Sequence, residues 1–184
     1  ASYGLETIGY KAEVVFPLVA KTRVADQDLA IDVEIDYAVC KDICIPLQAR
    51  LSLNLPQDTA TDTRYAETLR RYGERVPRAG GTNSASGTPT LVNFVPIESD
   101  GQVYVHATIG GITNPSEIDL FVEAGDDFGF GPPELVGRAP GDVVELRVPV
   151  HKYRKRANLR AQPLRLTLVE GPYSFEWQSP VAVD

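Results

Sequence analysis

Cys40 and Cys44 are the only thiols in a chain of 184 residues, and they stand four positions apart. Such a pair can close a disulfide, exchange that disulfide with a partner, or offer soft ligands to a metal. Which chemistry applies depends on what positions the two sulfurs. Upstream, Leu29, Ile31, Val33, Ile35 and Tyr37 are apolar, while Asp32, Glu34 and Asp36 between them are charged. Downstream, Ala49, Leu51, Leu53 and Leu55 alternate with Gln48, Arg50, Ser52 and Asn54. Period two over that length predicts two half-buried strands, and the short connection between them predicts a hairpin. The odd-numbered positions take the core face. Cys40 and Cys44 are even-numbered, so both thiols are expected to point away from the core.

A hairpin end can bring two Cα atoms within the ~4.4–6.8 Å that a disulfide needs. The loop closed by such a bridge is short, so it removes little unfolded-state entropy. A stabilising bridge in a β-sandwich more usually faces inward and joins strands distant in sequence. A small exposed bridge is the kind that is readily reduced and re-formed. Lys41 beside the first thiol favours a thiolate, and Asp42 opposes it. The plain alternative is a passive hairpin staple. A zinc site is disfavoured, because two thiolates do not close a tetrahedral shell and the two histidines, His106 and His151, lie far along the sequence.

A strand ending in Cys40, then Lys41-Asp42-Ile43, then Cys44-Ile45-Pro46 and a leucine-rich strand resembles the N-terminal periplasmic domain of DsbD-type membrane thiol-disulfide reductases. The ScsB branch, associated with copper tolerance, is the nearer likeness, since DsbD itself spaces its cysteines further apart. The resemblance covers Ser2 to Pro56 and, more weakly, the second half of the chain. It implies an immunoglobulin-like fold with Cys40 and Cys44 as the catalytic pair in a hairpin. It also implies a periplasmic location, as the soluble part of an inner-membrane protein. Electrons would come from a membrane reductase domain of the same polypeptide and pass to thioredoxin-fold periplasmic proteins, with no organic cofactor. In that family the second cysteine makes the inter-protein bond, which assigns the role to Cys44. A cap loop carrying an aromatic residue precedes the first strand, which makes Tyr3 the cap candidate. Ala38, Lys41, Ile43, Ile45 and Pro46 are the candidates for a rim around the pair. Two other readings stand beside this one. The first is a non-enzymatic β-sandwich interaction module. The second is a copper(I)-binding, copper-tolerance protein, suggested by ligand softness but weakened by the absence of any methionine.

The rest of the chain must hold the hairpin. Hydrophobic residues make up 43% and charged residues 23%, which is ordinary for a globular protein. A net charge of −7 argues against a nucleic-acid partner. No apolar run approaches the ~20 residues of a membrane span, and no signal-peptide pattern opens the chain. The fold class expected is all-β, with two immunoglobulin-like sandwich domains and one helix near their junction. The first domain covers 1–78, a linker 79–90, and the second domain 91–184. Tyr10 to Val19 reads as a strand with Val14, Phe16 and Leu18 on one face, and Pro17 within it suggests an edge position or a bulge. With it the first domain reaches three strands where a sandwich wants about seven, so it is expected to be incomplete, with further strands upstream.

Asp62 to Arg75 is the expected helix, capped by Asp62 or Thr63, braced by a Glu67–Arg71 pair and closed by Pro77. From residue 90 onward the signals are β, with strands expected over 91–95, 102–109, 117–123, 143–150, 164–169 and 173–178. Asp126 to Pro133 reads as an irregular loop whose paired aspartates lack the periodic ligands of a calcium site. Lys152, Arg154, Lys155 and Arg156 form a basic run, most simply a solvated surface. His106 and His151 show no catalytic pattern around them in the sequence.

Overall fold

A computed structural model of the chain describes residues 9–21, 27–56, 64–80 and 88–179. The chain divides into two units, Ala1–Glu74 and Arg75–Asp184.

The first unit is built on the hairpin. Strands β1 (Leu29–Cys40) and β2 (Cys44–Leu55) pair antiparallel without a bulge, from Leu29↔Leu55 to Cys40↔Cys44. Every rung joins two odd-numbered or two even-numbered residues, so all the charged side chains of the two strands fall on the even face. On the even face, Ser52 Oγ donates to Asp32 (2.6 Å), Arg50 to Glu34 (3.1 Å) and Gln48 Nε2 to Asp36 (2.9 Å), forming three successive cross-strand rungs. Such pairs each favour the register by roughly 0.2–1 kcal/mol. All the odd-face side chains are apolar. Their burial is uneven. In β1 the residues Leu29, Ile31, Val33 and Ile35 are half-buried as expected, whereas in β2 only Ala49 is. The expectation of two half-buried strands therefore fails for β2, in a sheet that has two strands among the described residues.

The strand expected over Tyr10 to Val19 is absent. Residues 9–21 are irregular, and the exposed side chains include Val14, Phe16 and Leu18, while Val15 and Pro17 are half-buried. Alternation alone does not make a strand without a ladder partner, and Pro17 removes one donor. The segment instead folds on itself, with Tyr10 edge-on to Phe16 at 5.6 Å. Glu13 accepts a hydrogen bond from the Tyr72 hydroxyl (2.7 Å), which ties the segment to helix α1 (Ala66–Gly73). This helix is shorter than expected. Asp62 and Thr63 lie outside the described residues, and Tyr65 at the cap position makes no side-chain cap bond. The bracing pair also differs. Arg70, rather than Arg71, bridges Glu67 and Glu74 at 2.6 Å each, and Arg71 lies over the Tyr72 ring.

The second unit is a sandwich. One sheet runs β3 (Arg78–Ala79), β11 (Tyr173–Ser179), β10 (Leu164–Glu170), β6 (Ile118–Glu123). The other runs β4 (Thr90–Ser99), β5 (Gln102–Gly110), β9 (Val143–Lys152), β7 (Phe128–Phe130), with β8 (Glu134–Ala139) also on β9. Alternate residues of both sheets meet in one core, including Val105, Ile109, Leu120, Leu146, Val148, Leu166 and Leu168. The protein is all-β in class, as expected.

Three strands escaped the sequence reading. β3 has two residues and β7 three, too short for periodicity to register, and β8 is interrupted by a bulge between Leu135 and Gly137. β3 also bears on the expected linker, because Ala79 belongs to β3 and the Gly80 N–H donates to the Glu176 carbonyl (2.8 Å). The division between units falls earlier, at Glu74/Arg75. Residues 81–87 of the expected linker lie outside the described residues.

Candidate functional site

The hairpin tip explains its own chemistry. Residues 41–43 form the turn, within which the Lys41 N–H donates to the Ile43 carbonyl (3.2 Å). A rung flanked by such a bond is a non-hydrogen-bonded pair, the kind whose Cα atoms approach most closely, at about 4.5 Å. Cys40 and Cys44 occupy that rung, with Cα atoms 4.1 Å apart, and are joined by a disulfide. Rung types alternate, so Ala38↔Pro46 is of the same type. The missing N–H of Pro46 therefore falls on the outer edge of β2, where the hairpin ladder needs no donor.

Both cysteines are exposed and lie on the even, polar face. Ala38 and Pro46 are the next side chains along that face, followed by Asp36 and Gln48. Lys41 and Ile43 stand in the turn, with Ile43 72% exposed. Ile45 does not join this group, because it pairs with Val39 on the odd face, behind the bridge. Of the rim candidates, Ala38 and Pro46 share the face of the bridge, and Lys41 and Ile43 stand in the turn beside it. Tyr3 lies outside the described residues. The bridge therefore lies on the exposed face of the hairpin, flanked there by an alanine and a proline.

The second unit holds a cluster that the sequence did not reveal. On the outer face of the β5–β9–β8 sheet, Arg147 donates to Glu134 (2.7 and 3.2 Å) and lies over the Tyr104 ring at 4.5 Å. The hydrogen bond that Glu134 accepts raises the guanidinium pKa further. His106 Nε2 lies 3.8 Å from Glu145. These residues come from three strands, and only the register His106↔Arg147↔Glu134 brings them together. The basic run is also engaged, since Arg154 pairs with Asp127 (3.0 Å) and the Tyr153 N–H donates to the Asp127 carbonyl (2.9 Å). Among the described residues, no group of three or more His, Cys, Asp or Glu side chains is placed to hold a metal ion, and no helix is long and apolar enough to cross a membrane.

A disulfide-tipped hairpin in one unit and a β-sandwich in the other define an all-β protein with one exposed cystine. Residues 75–184 match the family model described as "Domain of unknown function (DUF8393)", and the chain belongs to that family. No curated protein matches it. Among solved structures, the chain is similar to the N-terminal periplasmic domain of ScsB from Proteus mirabilis, with a TM-score of 0.53 and 14% sequence identity. The match covers 80% of this chain and 55% of that one, so the chain spans about half the length of the ScsB structure. The resemblance drawn from the cysteine hairpin is thus met by a likeness of fold.

Proposed function

We propose that the chain is a thiol–disulfide exchange module of the DsbD/ScsB type, working in the periplasm. A dithiol of a membrane reductase domain reduces the Cys40–Cys44 bridge, and the reduced pair then reduces the disulfide of a thioredoxin-fold periplasmic protein. In each transfer a thiolate attacks one sulfur, the S–S bond breaks, and a mixed disulfide forms while the departing sulfur takes up a proton. The second thiol of the attacking pair then displaces that link, so two electrons and two protons pass from one pair to the other. Cys44 makes the inter-protein bond and Cys40 resolves it.

One observation carries the reading. The bridge closes the last rung of a hairpin on its exposed polar face, where it joins no distant parts of the chain. The likeness of fold to the ScsB periplasmic domain supports it. Titration against a thiol redox buffer tests it. A potential above about −300 mV is expected, and a value well below that range of inert structural bridges sinks the exchange reading in favour of a staple. The roles of the two sulfurs are read from Cys40→Ala and Cys44→Ala incubated with an oxidised thioredoxin-fold protein. Trapping is expected in Cys40→Ala, and trapping only in Cys44→Ala reverses the assignment.

A further inference from the structure

We infer that the sandwich is guarded against strand addition, with Asn93 and Asp119 as the residues that keep another chain off its two longer end strands. Among the described residues, β4 ends one sheet and β6 ends the other. The opposite ends are β3, of two residues, and the short β7 with the bulged β8, and short or bulged edges already resist pairing. An end strand otherwise offers a row of backbone groups to any extended segment alongside. The turns fix which groups these are. Asp100 and Gly101, both at positive φ, form the two-residue turn between β4 and β5, so Ser99↔Gln102 is a hydrogen-bonded rung. Rungs alternate from there, and Phe94, Pro96 and Glu98 turn their backbone groups to the free edge. In the other sheet, the two-residue turn at Gly171 and Pro172 makes Glu170↔Tyr173 and Leu168↔Phe175 hydrogen-bonded rungs. Leu168 thus spends its groups on β11, and Leu120, opposite it on β6, faces outward.

Three of these outward groups are occupied from within the sandwich. The Phe94 N–H donates to Asn93 Oδ1 and the Leu120 N–H to Asp119 Oδ1, both at 2.9 Å. Pro96 has no N–H, and its carbonyl accepts from Arg160 Nη2 (3.1 Å). The device is the same on both strands. Phe94 and Leu120 pack into the core, and the exposed Asn or Asp before each one holds its edge N–H. An incoming strand must break that bond before it can pair.

Sedimentation of the whole chain tests this. Asn93→Val combined with Asp119→Val removes both acceptors and leaves a strand-forming residue at each position. Its average mass should climb with concentration to about twice that of the wild type or more, as unguarded edges pair. Thr108→Val, which adds the same apolar group opposite Asn93 on the inner strand β5, should match the wild type. So should Asn93→Asp combined with Asp119→Asn, which keeps an acceptor at each position. A double-valine variant no heavier than the wild type overturns the proposal, as does equal association by either control. If the double-valine variant unfolds by circular dichroism, the milder Asn93→Ala and Asp119→Ala decide, at a dilution where both have the wild-type mass. The Phe94 and Leu120 amides should then exchange about tenfold faster than in the wild type, each having lost one hydrogen bond, and unchanged rates overturn the proposal.

Discussion

Ala38 and Pro46 flank the cystine on its own face, and neither reaches far above the sheet. A small reductant needs only a path to one sulfur, whereas a protein partner must lay its own surface against that shelf. The two can therefore be separated by one substitution. Ala38→Trp should slow exchange with a thioredoxin-fold protein by about tenfold, a cost of ~1.4 kcal/mol in the transition state, while reduction by dithiothreitol stays within twofold. Stopped-flow rates with the two reductants check this, and equal slowing of both would mean that Ala38 only shields the sulfurs. The polar rungs behind it contribute little by comparison. The Arg50–Glu34 pair is exposed on both sides, and exposed pairs are worth about 0–1 kcal/mol.

At the scale of elements, the bridge spans a sequence separation of only 4. A loop so short places its entropic contribution near ~2 kcal/mol, the low end for a disulfide. Reduction should therefore lower hairpin protection in hydrogen exchange by no more than that, and leave protection of the sandwich core strands unchanged. Strand β3 offers a second test. The Trp177 indole lies against Gly80 and occupies the space a Cβ would need. Gly80→Ala should force β3 off the edge of β11 and destabilise the second unit by about 1–3 kcal/mol, read as a lowered denaturant midpoint by circular dichroism. What was legible in the sequence divides along the same lines. The hairpin could be read because two long strands carry strict alternation, and the side on which the thiols fall follows from parity alone. Tyr10 to Val19 alternates too, yet among the described residues no strand pairs with it, and a ladder is a property of pairs. The Tyr104–His106–Glu145–Arg147 cluster depends on register between strands about forty residues apart, which no local pattern encodes.

Across the whole molecule, two independent boundaries coincide. The matched family begins at residue 75, and the second compact unit begins at Arg75. The core of that unit is drawn from both of its sheets. Residues 75–184 should accordingly fold alone with one cooperative transition by circular dichroism. Within that fragment Leu166, fully buried, should cost about 2–5 kcal/mol when changed to Ala. A fragment that melts without a sigmoid would show that the sandwich depends on Ala1–Glu74.

The bulge-free register of the hairpin places an arithmetic condition on insertions and deletions. Each rung joins residues of equal parity around a turn at 41–43. A residue added within β1 or β2 would have to bulge out, or it would turn every side chain beyond it to the other face and set leucines among the charges. A residue added in the turn carries no such penalty, because hairpin loops of roughly two to five residues can hold the same rungs together. Cysteine spacing in this hairpin can therefore drift at the tip, while the strands behind it tolerate a single insertion only as a bulge.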